Sequence, residues 1–261
     1  MNYGLYLSAA GTLASLHRQD VLANNLANLN TVGFKPDMVE TRARLPERLE
    51  SPGNFADPQL LLENLGGGVF ADPTRVDLRQ GAVTDSHNDL DLAIQGDGFF
   101  VVNTGKGAGA GAGADNLRLT RDGRFTLNPA GELVMASTGL RVLDVYDQAI
   151  RLNRAATVRI DGDGRITQNG SEVAKLQIAA VPDASTIAKS GDNLLRFAGK
   201  RQAAPASTNV RQGSIESSGV DPIMALNDMI NASKAAQANA LMMQYHDQIL
   251  GQAVNTLGRV A

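Results

Sequence analysis

Two long stretches at opposite ends of the chain carry almost no charge, and they restrict the fold more than anything between them. From Met1 to Phe34 the only formally charged side chains are Arg18 and Asp20; from Ala235 to Gly258 the only one is Asp247. Both stretches repeat at heptad spacing. Leu5, Ala9, Thr12, Leu16, Gln19, Ala23, Leu26 and Asn30 recur at alternating intervals of 4 and 3, with Gly11 interrupting the run. Met229, Ala232, Ala236, Asn239, Met243, His246, Leu250, Ala253 and Leu257 recur at intervals of 3 and 4. This period marks helices whose small and apolar seams face a partner. A helix of about 30 residues would run roughly 45 Å and, this bare, could not stand alone in water. The two ends therefore pair with each other or with neighbouring copies. A simple intramolecular hairpin would leave an outer face in need of polar cover. These helices have little, which favours contacts between subunits.

The first helix ends in an unusual block, Ala23-Asn24-Asn25-Leu26-Ala27-Asn28-Leu29-Asn30-Thr31-Val32-Gly33-Phe34-Lys35-Pro36. Asparagine competes with the helix for backbone hydrogen bonds, so four of them here need a reason. Leu22, Leu26 and Leu29 keep helical spacing through the block, and Asn24 and Asn28 would share a face. Gly33 can supply a left-handed residue that closes the helix, and Pro36 biases Lys35 out of helical geometry. Two readings stand on these residues: a frayed, solvated helix end, or amides that set register against a partner.

The middle of the chain reads as β. After a charged segment punctuated by Pro46, Pro52 and Pro58, and Gly66-Gly67-Gly68, apolar alternation begins near Val69. Leu90 to Val102 holds two apolar runs broken at Gly96-Asp97-Gly98, a hairpin or bulge signal; Asp122-Gly123 and Asp163-Gly164 predict further hairpins. Asn128 to Gly131 and Ser137 to Gly139 read as turns, and Val173 to Val181 and Leu194 to Phe197 as strands. The run at 105–114 alternates Gly and Ala, the composition of a flexible loop. Near Val220 the chain turns helical again: Asp221 can cap and Pro222 suits a first helical turn. The expected fold is α+β, with an antiparallel β region at 36–219 flanked by helices at 1–35 and 220–261 that come together as a coiled coil or helical layer.

Sites of chemistry are tested and set aside. No cysteine is present, which excludes disulfides and thiolate metal ligation. Gly105-Lys106-Gly107 lacks the spacing and the Ser/Thr of a phosphate loop. Asp161-Gly162-Asp163-Gly164 places Ile166 where a calcium loop of the EF-hand type needs glycine. His17, His87 and His246 have no second ligand at metal spacing. A net charge of −3 without a basic cluster points away from nucleic acid and anionic membrane surfaces. No apolar run is long enough to span a membrane, and the start lacks a basic, cleavable signal, so no membrane insertion and no Sec-type leader are expected. No cofactor and no enzymatic activity are expected. On the residues alone, a cell-surface or secreted β-rich binding protein, or a hydrolase built from scattered residues, remain alternatives.

Ala23-Asn24-Asn25-Leu26-Ala27-Asn28 followed by Thr31 and Gly33-Phe34-Lys35 resembles the N-terminal signature of the bacterial flagellar axial proteins. The likeness extends along the chain: Gln80-Gly81; Leu90-Asp91-Leu92-Ala93-Ile94-Gln95-Gly96-Asp97-Gly98-Phe99-Phe100; Leu119-Thr120-Arg121-Asp122-Gly123-Arg124-Phe125; and Gln212-Gly213-Ser214-Ile215-Glu216-Ser217-Ser218-Gly219-Val220-Asp221. Lys234-Ala235-Ala236-Gln237-Ala238-Asn239 is similar to the family's C-terminal helix, although Gly219 and Asp221 stand where Asn is usual and Ala236 where an aromatic is common. The chain is short for a hook subunit and resembles a basal-body rod subunit, the proximal kind somewhat more than the distal. What the resemblance implies is a structural rod protein of the flagellar basal body, in the rod that crosses the periplasm. Such a subunit leaves by the flagellar type III export apparatus and polymerises with its own copies and other rod subunits into a torque-transmitting tube. The expected assembly contacts are Leu5, Leu16, Asn24, Asn25, Asn28, Gly33 and Phe34 at one end and Met229, Asn239, Met243, Leu250 and Leu257 at the other.

Overall fold

The computed structural model describes residues 3–45, 66–105, 116–183, 186–197 and 201–257. The Gly/Ala run at 105–114 lies outside them apart from Gly105, as does most of the proline-punctuated charged segment. The fold is α+β, with helices at both ends of the chain and a mostly antiparallel β region between them. Two compact units divide it: Met1–Ala27 with Asp37–Arg75 and Asp221–Ala261, and Asn28–Pro36 with Val76–Val220.

The first unit is built on helix α1 (Tyr3–Ala27) and helix α2 (Pro222–Leu257). Helix α2 begins as its sequence dictates: the Asp221 carboxylate accepts from the backbone N–H of Ile223 (2.9 Å) and Met224 (3.0 Å), and Pro222 takes the first helical position. The helices run antiparallel, Gly4 lying against His246 and Gly11 against Asn239. A two-stranded ribbon, Thr41–Ala43 with Val69–Ala71 in the register Arg42↔Phe70, packs on another side of α1. Gly68 there approaches Leu7 and Ala10, and the Tyr3 hydroxyl donates to the Gly66 carbonyl.

Helix α1 stops at Ala27, earlier than the leucine spacing predicts. Asn28 belongs to the turn that follows, where its backbone carbonyl accepts from Thr31 N–H at 3.1 Å. Gly33 does adopt a left-handed φ of 67°, but six residues past the helix end. Asn28 consequently does not share a helical face with Asn24.

Among the described residues, the regular structure of the second unit is all β. A nine-stranded antiparallel sheet has Phe99–Asn103 at its centre, bonded to Leu117–Thr120, Arg141–Val142 and Ile178–Ala180. Every residue of this strand is buried, because both sheet faces are covered. Phe100 and Val102 join a core with Leu92, Phe125, Met135 and Ile166, where Phe100 and Phe125 meet edge to face at 5.1 Å. Phe99 and Val101 join a second core with Leu119, Leu143 and Leu195.

The turns at Asn128–Gly131 and Ser137–Gly139 join paired strands, and Asp163-Gly164 closes the hairpin of Val158–Ile160 with Arg165–Gln168. Asp122-Gly123 does not close one: Leu117–Thr120 and Phe125–Leu127 pair with other strands. A Cβ on Gly123 would lie 1.6 Å from the Leu92 carbonyl oxygen, so glycine is needed there for the close passage of another backbone. Gly96-Asp97-Gly98 likewise separates strands of different sheets, Leu92–Gln95 with Asn209–Gln212 and Phe99–Asn103 with the large sheet. The expected strand at Val173–Val181 is two, Ser171–Lys175 and Ile178–Ala180, in different sheets.

Candidate assembly interface

Each terminal helix presents two contrasting faces. The inner face of α2 is made of Ala225, Ala232 and Ala236, which are buried, with Met229, Asn239, Met243, His246 and Leu250 partly buried. These follow the predicted 3–4 period. On α1 the face toward α2 is set by glycine. A Cβ on Gly4 would stand 2.6 Å from His246 Nε2, and one on Gly11 would stand 2.8 Å from Asn239 Nδ2. Both pairs are one heptad apart, so bare backbone receives the larger polar side chains of α2. Gly11 is a contact point of the seam rather than its interruption. Thr12 Oγ1, bonded to the Ser8 carbonyl at 2.8 Å, also reaches Met243 Sδ at 3.8 Å.

The outer faces are apolar and exposed. On α1, Tyr3, Tyr6, Leu13 and Leu16 recur at intervals of 3, 7 and 3, with Tyr6 73% and Leu13 69% exposed. On α2, Ile223 (80% exposed), Leu226, Ile230, Leu241 and Tyr245 form a matching stripe. At about 100° per residue, this stripe falls opposite the alanine seam of α2, and Tyr6, Leu13 and Leu16 fall on the side of α1 away from Gly4 and Gly11, while Tyr3 stands only about 100° from Gly4 and bonds Gly66.

The predicted contact residues distribute over these faces and beyond them. Leu16 and Asn24 are exposed on the outer side of α1, and Leu5 is partly buried. Met229, Asn239, Met243 and Leu250 line the seam within the chain; Leu257 is the last residue of α2. Asn25 is buried, and its side chain satisfies one residue of backbone in both directions: Nδ2 donates to the Asp37 carbonyl (2.8 Å) and Oδ1 accepts from the Asp37 N–H (3.0 Å). Asn28 Oδ1 accepts from the Thr31 hydroxyl at 3.1 Å. Gly33 and Phe34 are buried in the β unit, with Lys189 Nζ 4.1 Å from the Phe34 ring centre.

Three charged side chains inside that unit were not singled out by sequence reasoning. Lys35, Arg121 and Glu216 are 2%, 4% and 1% exposed. Glu216 Oε1 accepts from Lys35 Nζ (2.7 Å) and from the Gly81 N–H (2.9 Å), while Oε2 accepts from Arg121 Nη1 (2.8 Å). Lys35 Nζ also donates to the Arg79 carbonyl, and Arg121 to the carbonyls of Ile94 and Gly96. The Arg121 guanidinium lies 5.1 Å from the Phe99 ring centre. Burial pushes the Lys35 ammonium below its ordinary pKa, and the Glu216 carboxylate opposes that shift. Nearly every stretch carrying the family likeness meets here. Gln80 donates to Ile94 O and accepts from Gly96 N–H, both at 3.0 Å. Gly33 N–H donates to the Glu216 carbonyl (2.7 Å), and Gly219 N–H to the Phe34 carbonyl (2.9 Å). A Cβ on Gly33 would fall 2.3 Å from the Arg121 carbonyl carbon, and one on Gly81 2.3 Å from the Ser217 oxygen. A signal was present for two of the three: Lys35 is the sole charge between Ala23 and Pro36 and Glu216 the sole charge between Gln212 and Val220, whereas Arg121 stands beside Asp122 and Arg124.

Among the described residues no group of three or more His, Asp or Glu could hold a metal ion, and no helix is long and apolar enough to cross a membrane.

Comparison with known proteins agrees with this geometry. Three family models match the chain: the flagella basal body rod protein at residues 5–35, the flagellar hook protein FlgE/F/G D1 domain at 93–168, and the flagellar basal body rod FlgEFG protein C-terminal at 211–256. The flagellar basal-body rod protein FlgF of Caulobacter vibrioides is 33% identical over 100% of both chains. FlgF of Rhizobium meliloti is 29% identical over 99% of both, and the rod protein FlgG of Buchnera aphidicola is 29% identical over 94% of this chain and 96% of its own. Full-length likeness at that level, on a chain whose helices and β motifs serve one structural plan, makes this protein a member of the flagellar basal-body rod protein family.

Proposed function

We propose that this structural rod subunit polymerises through the outer faces of α1 and α2, giving the axial tube that transmits torque. The observation that carries the reading is the pair of exposed apolar stripes, each placed opposite the seam that joins the two helices. Burying one such side chain fully stabilises a contact by about 1.5–3 kcal/mol, so a few per helix suffice to hold neighbouring subunits. A head-to-tail contact of this kind that does not close on itself generates a filament rather than a ring. The partners are then copies of this chain and other rod components, with the β unit contributing lateral contacts and outer surface. Its expected route is the flagellar type III export apparatus without a cleaved signal peptide, and its expected place is the proximal rod.

The test is a pair of outer-face variants, Leu13→Asp and Leu241→Asp, expressed in place of the native protein. Each side chain is already exposed, so stability of the purified protein should change by no more than about 0.5 kcal/mol. Rods should be absent or truncated and cells non-motile. Normal rods from both variants would contradict the reading.

A further inference from the structure

The two segments of chain that lead to the helices lie side by side in the β unit, each with backbone partners of its own: Ser214–Glu216 pairs with Val83–Asp85, and the Pro36 carbonyl accepts from the Asp77 N–H. Two backbone hydrogen bonds run between them, Gly33 N–H to the Glu216 carbonyl and Gly219 N–H to the Phe34 carbonyl. Gly33 and Gly219 contribute no side chains to this contact, so the side chains that tie one segment to the other are those of Lys35 and Glu216. We propose that the Lys35–Glu216–Arg121 triad is a register clamp: it permits one alignment of the segment following α1 with the segment preceding α2, and rod growth depends on that alignment. Glu216 is suited to the task because each oxygen has its own cation, Oε1 with Lys35 and Oε2 with Arg121. A slip of one residue turns the Glu216 side chain to the other face of its strand and leaves two buried cations without a carboxylate. The remaining contacts of the triad are also fixed, since Arg79, Ile94 and Gly96 accept through backbone carbonyls. Replacing a buried ion pair by well-packed apolar groups is often neutral for stability, so in this proposal the triad selects one packing rather than adding net stability.

This is checked with Glu216→Gln, nearly isosteric, and with the apolar triple variant Lys35→Met, Arg121→Met, Glu216→Leu. Amide hydrogen exchange is measured on each purified protein. The clamp predicts exchange at Gly33 and Gly219 faster by at least about tenfold in both variants, with Phe99–Asn103 amides unchanged, because only local opening is affected. In cells both variants should fail to build rods. The link to rod growth rests on the function proposed above; the exchange measurement does not, so the two can fail separately. Native protection at Gly33 and Gly219 in Glu216→Gln would overturn the clamp. So would equal acceleration at Phe99–Asn103, which would make the triad a support of the whole unit. Should the triple variant not fold, Glu216→Gln alone decides the matter.

Discussion

At the scale of single residues, the glycines and buried charges explain why particular motifs take the form they do. Gly33 has both a left-handed backbone and another backbone within reach of its missing Cβ. Gly33→Ala should therefore destabilise the β unit by about 3 kcal/mol, from strain and overpacking together, read by denaturant unfolding. Glu132 makes a pH-dependent contribution. It is 5% exposed, accepting from Asn128 Nδ2 (3.0 Å), Arg141 Nε (2.9 Å) and Arg151 Nη2 (3.5 Å). The hydrogen bond from the Asn128 amide, with the hydrogen bond and charge of Arg141 and the charge of Arg151, holds its carboxyl below the ordinary glutamate value against the opposing effect of burial. The unfolded chain then binds the proton more readily, so this contribution is present at neutral pH and lost as pH falls below the usual carboxylate range. Glu132→Gln should lower the melting temperature at pH 7 and narrow its difference from the native protein near pH 3. A difference that stays constant across that range would contradict the assignment.

At the scale of elements, much was legible in the sequence and some was not, for physical reasons. Heptad spacing on α2 marked its inner face correctly because the period of a long helix is a local property. The Asp221-Pro222 start was legible for the same reason, and Asp221→Ala should cost about 1 kcal/mol and speed exchange in the first turn of α2. On α1 the predicted seam meets α2 at Thr12, which reaches Met243, but not along its whole length. Leu16 and Ala23 are exposed, while Gly4 and Gly11 face α2, since close approach rewards an absent side chain that hydropathy does not see. Asp122-Gly123 misled in a related way: the dipeptide looks like a hairpin turn, and only the passage of Leu92 explains it. Conversely, Asn169-Gly170, with φ of 51° and 79°, closes the hairpin between Arg165–Gln168 and Ser171–Lys175, a turn whose dipeptide is plain in the sequence. Asn25 was legible as an amide in need of a partner, but its partner is the Asp37 backbone.

At the scale of the molecule, the helical unit and the β unit differ in how much they bury. Among the described residues, α1 buries Asn25 alone and α2 three alanines, whereas Phe99–Asn103 is buried throughout. In the purified monomer the helices should therefore exchange amide protons far faster than the central sheet and be cut first by protease. The missing burial would be gained only when subunits meet, and its absence from the monomer would restrain premature polymerisation. The most direct test of assembly through the outer faces is site-specific photocrosslinking in isolated basal bodies, with the probe at Leu13, at Leu241 and at Val173, an exposed position in the β unit. The account predicts that Leu13 and Leu241 both give products larger than the monomer that contain rod subunits. Monomer alone from both helix positions, with crosslinked products only from Val173, would contradict it.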